Sequence, residues 1–140
     1  MTTGSHPIRF RQAYLMSMPL VRIILYVRDV ATVEAFYREH FDADTVERIE
    51  NEWVVFKMGQ IELALHRAGA SYRKASPPAA PTGSTTKLVF AITSDLAAHR
   101  DSLSASGVSV GPIKRYDGFP YAMYDGRDPE GNVFQVMRYD

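Results

Sequence analysis

Asp128-Pro129-Glu130-Gly131-Asn132, followed by Val133-Phe134-Gln135-Val136, is the stretch on which the fold turns. An aspartate, a proline and a glycine within five residues specify a tight turn. The apolar run behind them reads as a strand, so the chain closes on a hairpin strand spanning Asn132 to Tyr139. One polar side chain, Gln135, interrupts that run.

Working back from this turn, Pro120 to Tyr124 and Val108 to Lys114 carry strand patterns. Before them, Leu96, His99 and Leu103 recur at helical spacing behind a cap at Ser94 or Asp95, and Gly107 stands where that helix would end. Lys87 to Thr93 is a further strand, so residues 87 to 140 read β-α-β-β-β. The same order appears earlier. Leu20 to Arg28 is a strand, and Asp29 caps a helix carrying Val30, Val33, Phe36, Tyr37 and His40, closed by Phe41-Asp42-Ala43-Asp44. Thr45 to Ile49, Trp53 to Met58 and Gln60 to Arg67 are strands, separated by Glu50-Asn51-Glu52 and by Gly59. Two modules of one pattern predict an internal duplication. The expected organisation is a tail over 1–18, then one domain over 19–140. That domain comprises module one (19–67), a linker (68–86) containing Pro77, Pro78 and Pro81, and module two (87–140).

The bulk properties bound the function. Sixteen basic residues balance sixteen acidic ones, which leaves no electrostatic footprint for nucleic acid or an anionic membrane. Without cysteine there are no disulfides, thiol nucleophiles or thiolate metal sites. The apolar run from Leu20 to Val27 contains Arg22 and is too short to span a bilayer. A cytoplasmic protein is expected. The first 28 residues carry arginines and no acidic side chain. Met18-Pro19 resembles a natural start, so the segment before it reads as a tail rather than a targeting peptide. It is expected to be flexible or to lie against a neighbouring subunit.

Two anchors carry a resemblance. Leu25-Tyr26-Val27-Arg28-Asp29-Val30 with Ala35-Phe36-Tyr37 is similar to the opening strand and helix of the vicinal oxygen chelate superfamily. Asp128 to Val136 resembles its closing hairpin. That superfamily includes glyoxalases, extradiol dioxygenases, and fosfomycin- and bleomycin-resistance proteins. The resemblance covers residues 19 to 139 and implies an α+β fold. Two β-α-β-β-β modules would form a curled mixed sheet around a cavity, with helices on the convex side. It also implies a homodimer that binds a small molecule.

In metal-dependent members, ligands come from the first and last strands of each module. Carried over position by position, these are Arg22, Glu62, Lys87 and Gln135. Arginine offers no acceptor, and lysine must lose its proton to coordinate. Only Glu62 and Gln135 could hold a metal, and two oxygen donors beside two cations would hold it weakly. His66 shares a strand face with Glu62, but four strand steps separate them by roughly 13 Å. His40 and His99 fall on helices, and His6 falls in the tail.

The expectation is therefore an ion pair of Arg22, joined by Lys87, with Glu62. It is either a structural pair or a receptor for an anionic ligand group. Period-two alternation adds Tyr26 to the face of Arg22. Trp53, Phe56, Tyr116, Phe119, Tyr121 and Tyr124 are expected to bound the cavity, with Tyr121 a candidate for ligand contact. Arg22, Tyr26, Glu62, Lys87, Tyr121 and Gln135 are thus the cavity candidates, with no cofactor and no assigned catalytic residue. The alternative is a lyase, isomerase or oxygenase of glyoxalase or dioxygenase type, using zinc, nickel, manganese or iron on Glu62 and Gln135.

Overall fold

A computed structural model describes residues 18–74 and 86–140. The tail before Met18 and the proline-bearing part of the linker, with Pro77, Pro78 and Pro81, lie outside the described residues. The chain forms two compact units that divide after Lys74.

The first unit runs β1 (Arg22–Val27), α1 (Val30–Phe41), β2 (Asp44–Ile49), β3 (Trp53–Met58), β4 (Ile61–Arg67) and α2 (Ala70–Lys74). Its strands form one mixed sheet in the order β1-β4-β3-β2, with β1 parallel to β4 and the other pairs antiparallel. Asp29 caps α1 as expected, its carboxylate accepting from the Thr32 amide at 3.1 Å and the Thr32 hydroxyl at 2.8 Å. Asp42 closes the helix in the left-handed region, with φ of 51°. The short helix α2 occupies part of the segment expected to be linker. There the Arg73 Nη1 donates to the Ala68 carbonyl at 2.6 Å.

One face of this sheet is apolar and packs on α1. Val27, Val54, Phe56 and Leu65 are buried there, and the Tyr37 ring lies 6.2 Å from that of Phe56. Each such side chain contributes about 1.5–3 kcal/mol by leaving water. Phe56, expected near a cavity, is therefore core. Glu34 on α1 is buried but satisfied, accepting from the Thr45 hydroxyl at 2.9 Å and pairing with Arg48, which ties α1 to β2.

The second unit runs β5 (Lys87–Ala91), α3 (Leu96–Ala105), β6 (Tyr121–Arg127) and β7 (Val133–Tyr139). The sheet order is β5-β7-β6, with β5 parallel to β7 and β6 antiparallel to it. Of the two proposed caps, Asp95 fills the role, accepting from the Ala98 amide at 2.9 Å. The expected strand over Val108 to Lys114 is reduced to two isolated bridges, Val110 to Gly126 and Lys114 to Met123. Gly111 and Pro112 sit between them, and proline has no N–H to give a ladder. The module is thus β-α-β-β-β in pattern, with its middle strand interrupted.

Asp128 is buried, and its Oδ1 accepts from the amides of Glu130 and Asn132 at 2.8 and 2.9 Å. Its Oδ2 accepts from the Asn132 side chain at 2.8 Å, and Gly131 supplies the positive φ of 84°. The turn then delivers Phe134 and Val136 to the core beneath α3 and Gln135 to the other face.

Candidate functional site

The second face of the module-one sheet is built by register. Arg22 stands opposite Glu62, Ile24 opposite Ala64, and Tyr26 opposite His66; across β4, Trp53 meets His66 and Val55 meets Ala64. Arg22 closes on Glu62: its Nε and Nη2 donate to the same carboxylate oxygen at 3.1 and 2.9 Å. The guanidinium carbon also lies 5.4 Å from the centre of the Trp53 ring, a cation–π contact. Ala64 lies between the Arg22–Glu62 and Trp53–His66 pairs in register, and it is buried. Its short side chain leaves room for two long ones to lean together. The Trp53 Nε1 donates to the Glu47 carboxylate at 3.1 Å. His66 makes edge contacts with Tyr26 at 5.3 Å and with Trp53 at 5.6 Å.

Thus Arg22 and Tyr26 share one surface, as alternation predicts, and register brings Glu62, Trp53 and His66 onto it. His66 is too far from Glu62 to share an ion with it, and its place here is that of an aromatic neighbour. The strip is polar at the Glu62 end and aromatic at the Tyr26 end, and Tyr26 is 60% exposed. Such a surface offers spare guanidinium donors and flat rings to a small molecule.

Lys87 belongs to the second unit. Within its own unit its partner is Asp125, at 2.7 Å. Lys87 stands opposite Val133, and one same-face step further Val89 stands opposite Gln135, which in turn faces Asp125. Gln135 donates its side-chain amide to the other oxygen of Asp125 at 2.9 Å. Lys87, Asp125 and Gln135 therefore form one cluster on the module-two sheet. Asp125 is not among the expected site residues, although the alternation of Tyr121, Met123 and Asp125 places that charge on one face.

Tyr121 is not part of this cluster. It packs in an exposed aromatic group, 5.9 Å from Phe119 and 5.6 Å from Tyr139. Tyr124 faces the core beneath α3, where its hydroxyl and His99 Nδ1 share a hydrogen bond of 2.6 Å. Burial pushes the Tyr124 hydroxyl up to about 12, partly opposed by the charge of Arg100.

The donor set does not fit a divalent ion. The Glu62 oxygen is engaged twice by a guanidinium, so a cation there would stand against a fixed positive charge. Gln135 and Lys87 both donate to Asp125, which occupies that carboxylate as well. Among the described residues no three or more histidine, aspartate or glutamate side chains group closely enough to hold a metal.

Comparison with known proteins agrees with this architecture. The profile of the Glyoxalase/Bleomycin resistance protein/Dioxygenase superfamily matches residues 19–136. The chain belongs to that superfamily. A lactoylglutathione lyase from Agrobacterium tumefaciens is similar at 24% identity and a TM-score of 0.65, over 85% of this chain and 92% of that one. A possible glyoxalase from Bacillus cereus is similar at 20% identity and 0.67, over 86% and 99%. A genomically encoded fosfomycin resistance protein from Listeria monocytogenes is similar at 13% identity and 0.64, over 89% and 93%. At these identities the likeness is one of fold. No curated protein sequence matches the chain. No helix among the described residues is long and apolar enough to cross a membrane.

Proposed function

We propose that this protein binds a small anionic or aromatic molecule without a catalytic metal. The observation that carries the reading is the Arg22–Glu62 pair. A strand position that supplies a metal ligand in metal-dependent relatives here supplies a permanent cation, and that cation is seated on the glutamate. A guanidinium so held has N–H groups left over for a carboxylate, phosphate or phenolate oxygen. Trp53, His66 and Tyr26 beside it provide rings on which a planar ligand body stacks. On this reading Arg22 and Glu62 form a recognition element, and no side chain is assigned a bond-breaking role. The protein works in the cytoplasm and as a homodimer, in keeping with its superfamily.

Two measurements on the purified protein test the reading. Elemental analysis after mild loading with nickel, zinc, manganese or iron should find no stoichiometric uptake, and these ions should leave Tm unchanged. A screen of aromatic and anionic metabolites against EDTA-treated protein should find stabilising ligands. Stoichiometric metal with a large rise in Tm overturns the proposal in favour of a metal-dependent lyase, isomerase or oxygenase. Sedimentation velocity tests the dimer.

A further inference from the structure

Module two holds a cavity of its own, of about 240 Å³, lined by the Lys87–Asp125–Gln135 cluster and by Lys114, Tyr116 and Met123. The segment carrying Lys114 is a fixed wall. The Gly111 amide donates to the Asp125 carbonyl at 2.8 Å, Lys114 and Met123 exchange backbone bonds at 2.7 and 3.0 Å, and Arg100 Nε donates to the Gly111 carbonyl at 2.6 Å. Lys114 is therefore held beside β6 by its main chain, while its side chain is exposed and forms no ion pair among the described residues.

The charge count decides what this cavity accepts. Lys87 and Lys114 contribute two positive charges and Asp125 one negative, a net of plus one. Asp125 already accepts from Lys87 on one oxygen and from Gln135 on the other, so it has little left to offer a cationic ligand. A dianion would bring its second charge against the Asp125 carboxylate with nothing to balance it. A monoanion neutralises the site. Its oxygens would accept hydrogen bonds from the remaining Lys87 N–H groups and from the Lys114 ammonium, and the Gln135 carbonyl oxygen is available to a donor on the ligand. The volume lies below the range usual for drug-sized ligands, which limits the body to one ring or a short chain. Tyr116 and Met123 give that body an aromatic and a thioether surface.

The geometry points to a site for a small organic monocarboxylate in module two, anchored by Lys87 and Lys114 and lying on Tyr116 and Met123. This assignment rests on the metal-independent reading above and names the ligand class for one part of the protein. Asp125 acts as the positioning residue, holding Lys87 and Gln135 toward the ligand.

The test uses EDTA-treated, full-length protein with benzoate and hexanoate as probes, followed by calorimetry and by amide chemical shifts. Benzoate is expected to bind and to shift the Met123 and Gln135 amides, and benzamide to bind at least about tenfold more weakly, since a charge-assisted hydrogen bond is worth about one such factor or more. Lys114→Ala should weaken benzoate about tenfold and Lys114→Arg should recover most of the loss. The exposed side chain makes both variants safe for folding, which unchanged Tm values verify. The assignment is overturned if neither carboxylate binds, if benzamide equals benzoate, or if Lys114→Ala binds as the parent does. Benzoate shifts centred on Tyr26 and Trp53, abolished by Arg22→Ala, would overturn this cavity yet leave the metal-independent reading standing. Binding that returns only after nickel is restored would overturn both.

Discussion

Arg22 and Glu62 face each other across two parallel strands, with the guanidinium Nε and Nη2 both on one carboxylate oxygen at 3.1 and 2.9 Å. The pair is half-buried, with side-chain exposures of 33% and 28%. Water therefore screens part of the attraction, and the pair is worth far less than a fully buried one.

Arg22→Ala should lower stability by about 1 kcal/mol. A double-mutant cycle with Glu62→Ala should assign the pair a coupling of about that size or less, and the coupling should shrink with added salt. Trp53 is the sole tryptophan, so loss of the cation above its ring should also change its fluorescence. Urea titrations read by that fluorescence check both outcomes. An unchanged emission spectrum would remove the cation–π contact from the account.

Replacing the cation with a ligand is the sharper variant. Arg22→His puts an imidazole opposite Glu62 and removes the fixed charge that repels a metal. Nickel should then raise Tm in the variant and not in the parent protein. An equal rise in both would mean that Arg22 does not control metal access.

Gly126→Ala tests the packing under α3. A Cβ at this position would lie 2.3 Å from the Phe134 Cζ and 3.0 Å from the Ser109 carbonyl oxygen. Phe134 is fully buried and has nowhere to retreat, so the cost should be about 1–3 kcal/mol or more. A thermal melt within a degree of the parent would contradict this packing.

Tyr124 sets an alkaline limit. Its hydroxyl titrates near 10 in an unfolded chain and is pushed up to about 12 by burial. Because the folded value is the higher one, its contribution is complete below pH 10 and is lost as pH rises through about 12. Two units correspond to about 2–3 kcal/mol, so stability should fall steeply across that window. Tyr124→Phe should flatten this part of the pH profile, as followed by denaturant titration. The same variant breaks the hydrogen bond to His99 and should lower stability near neutrality by about 1 kcal/mol.

Asp29 works in the opposite direction, at the acid end. The Thr32 amide and hydroxyl hold its carboxyl below the usual value of 3.8. That stabilisation is present above pH 3.8 and is lost as pH falls through the lower folded value. Asp29→Ala should cost about 1 kcal/mol at pH 7 through the lost helix cap and should remove this acid dependence. Guanidinium titrations at pH 7 and pH 3 distinguish the two.

Local chemistry made much of the fold legible in advance. Asp29 and Asp95 cap helices because a short carboxylate reaches the free amides of the first turn, and the Asp128 turn closes on its own side chain. The grouping of Arg22 and Tyr26 on one face, and of Glu62 with His66, needs nothing beyond strand alternation. The interruption of residues 108–114 was also present in the letters, as Gly111-Pro112, but a strand-forming composition on either side masks it.

The pairing of Arg22 with Glu62 was expected from the letters, but the other partner choices were not legible. Lys87 reaches Asp125, and Phe56 and Tyr124 turn to the helix-covered faces, because of the register in which β5, β7 and β6, or β3 and β4, come together. Alternation tells which residues of one strand share a face; it does not say which face the helix covers or which residue of another strand stands opposite. Those depend on contacts between segments far apart in the chain, where hydrophobic packing against α1 and α3 selects one register from several. The sequence alone therefore determined the modules, the turns and the cations at Arg22 and Lys87. The tertiary structure alone decided that the Arg22 guanidinium also meets Trp53, and that Lys87, Asp125 and Gln135 form a second charged cluster.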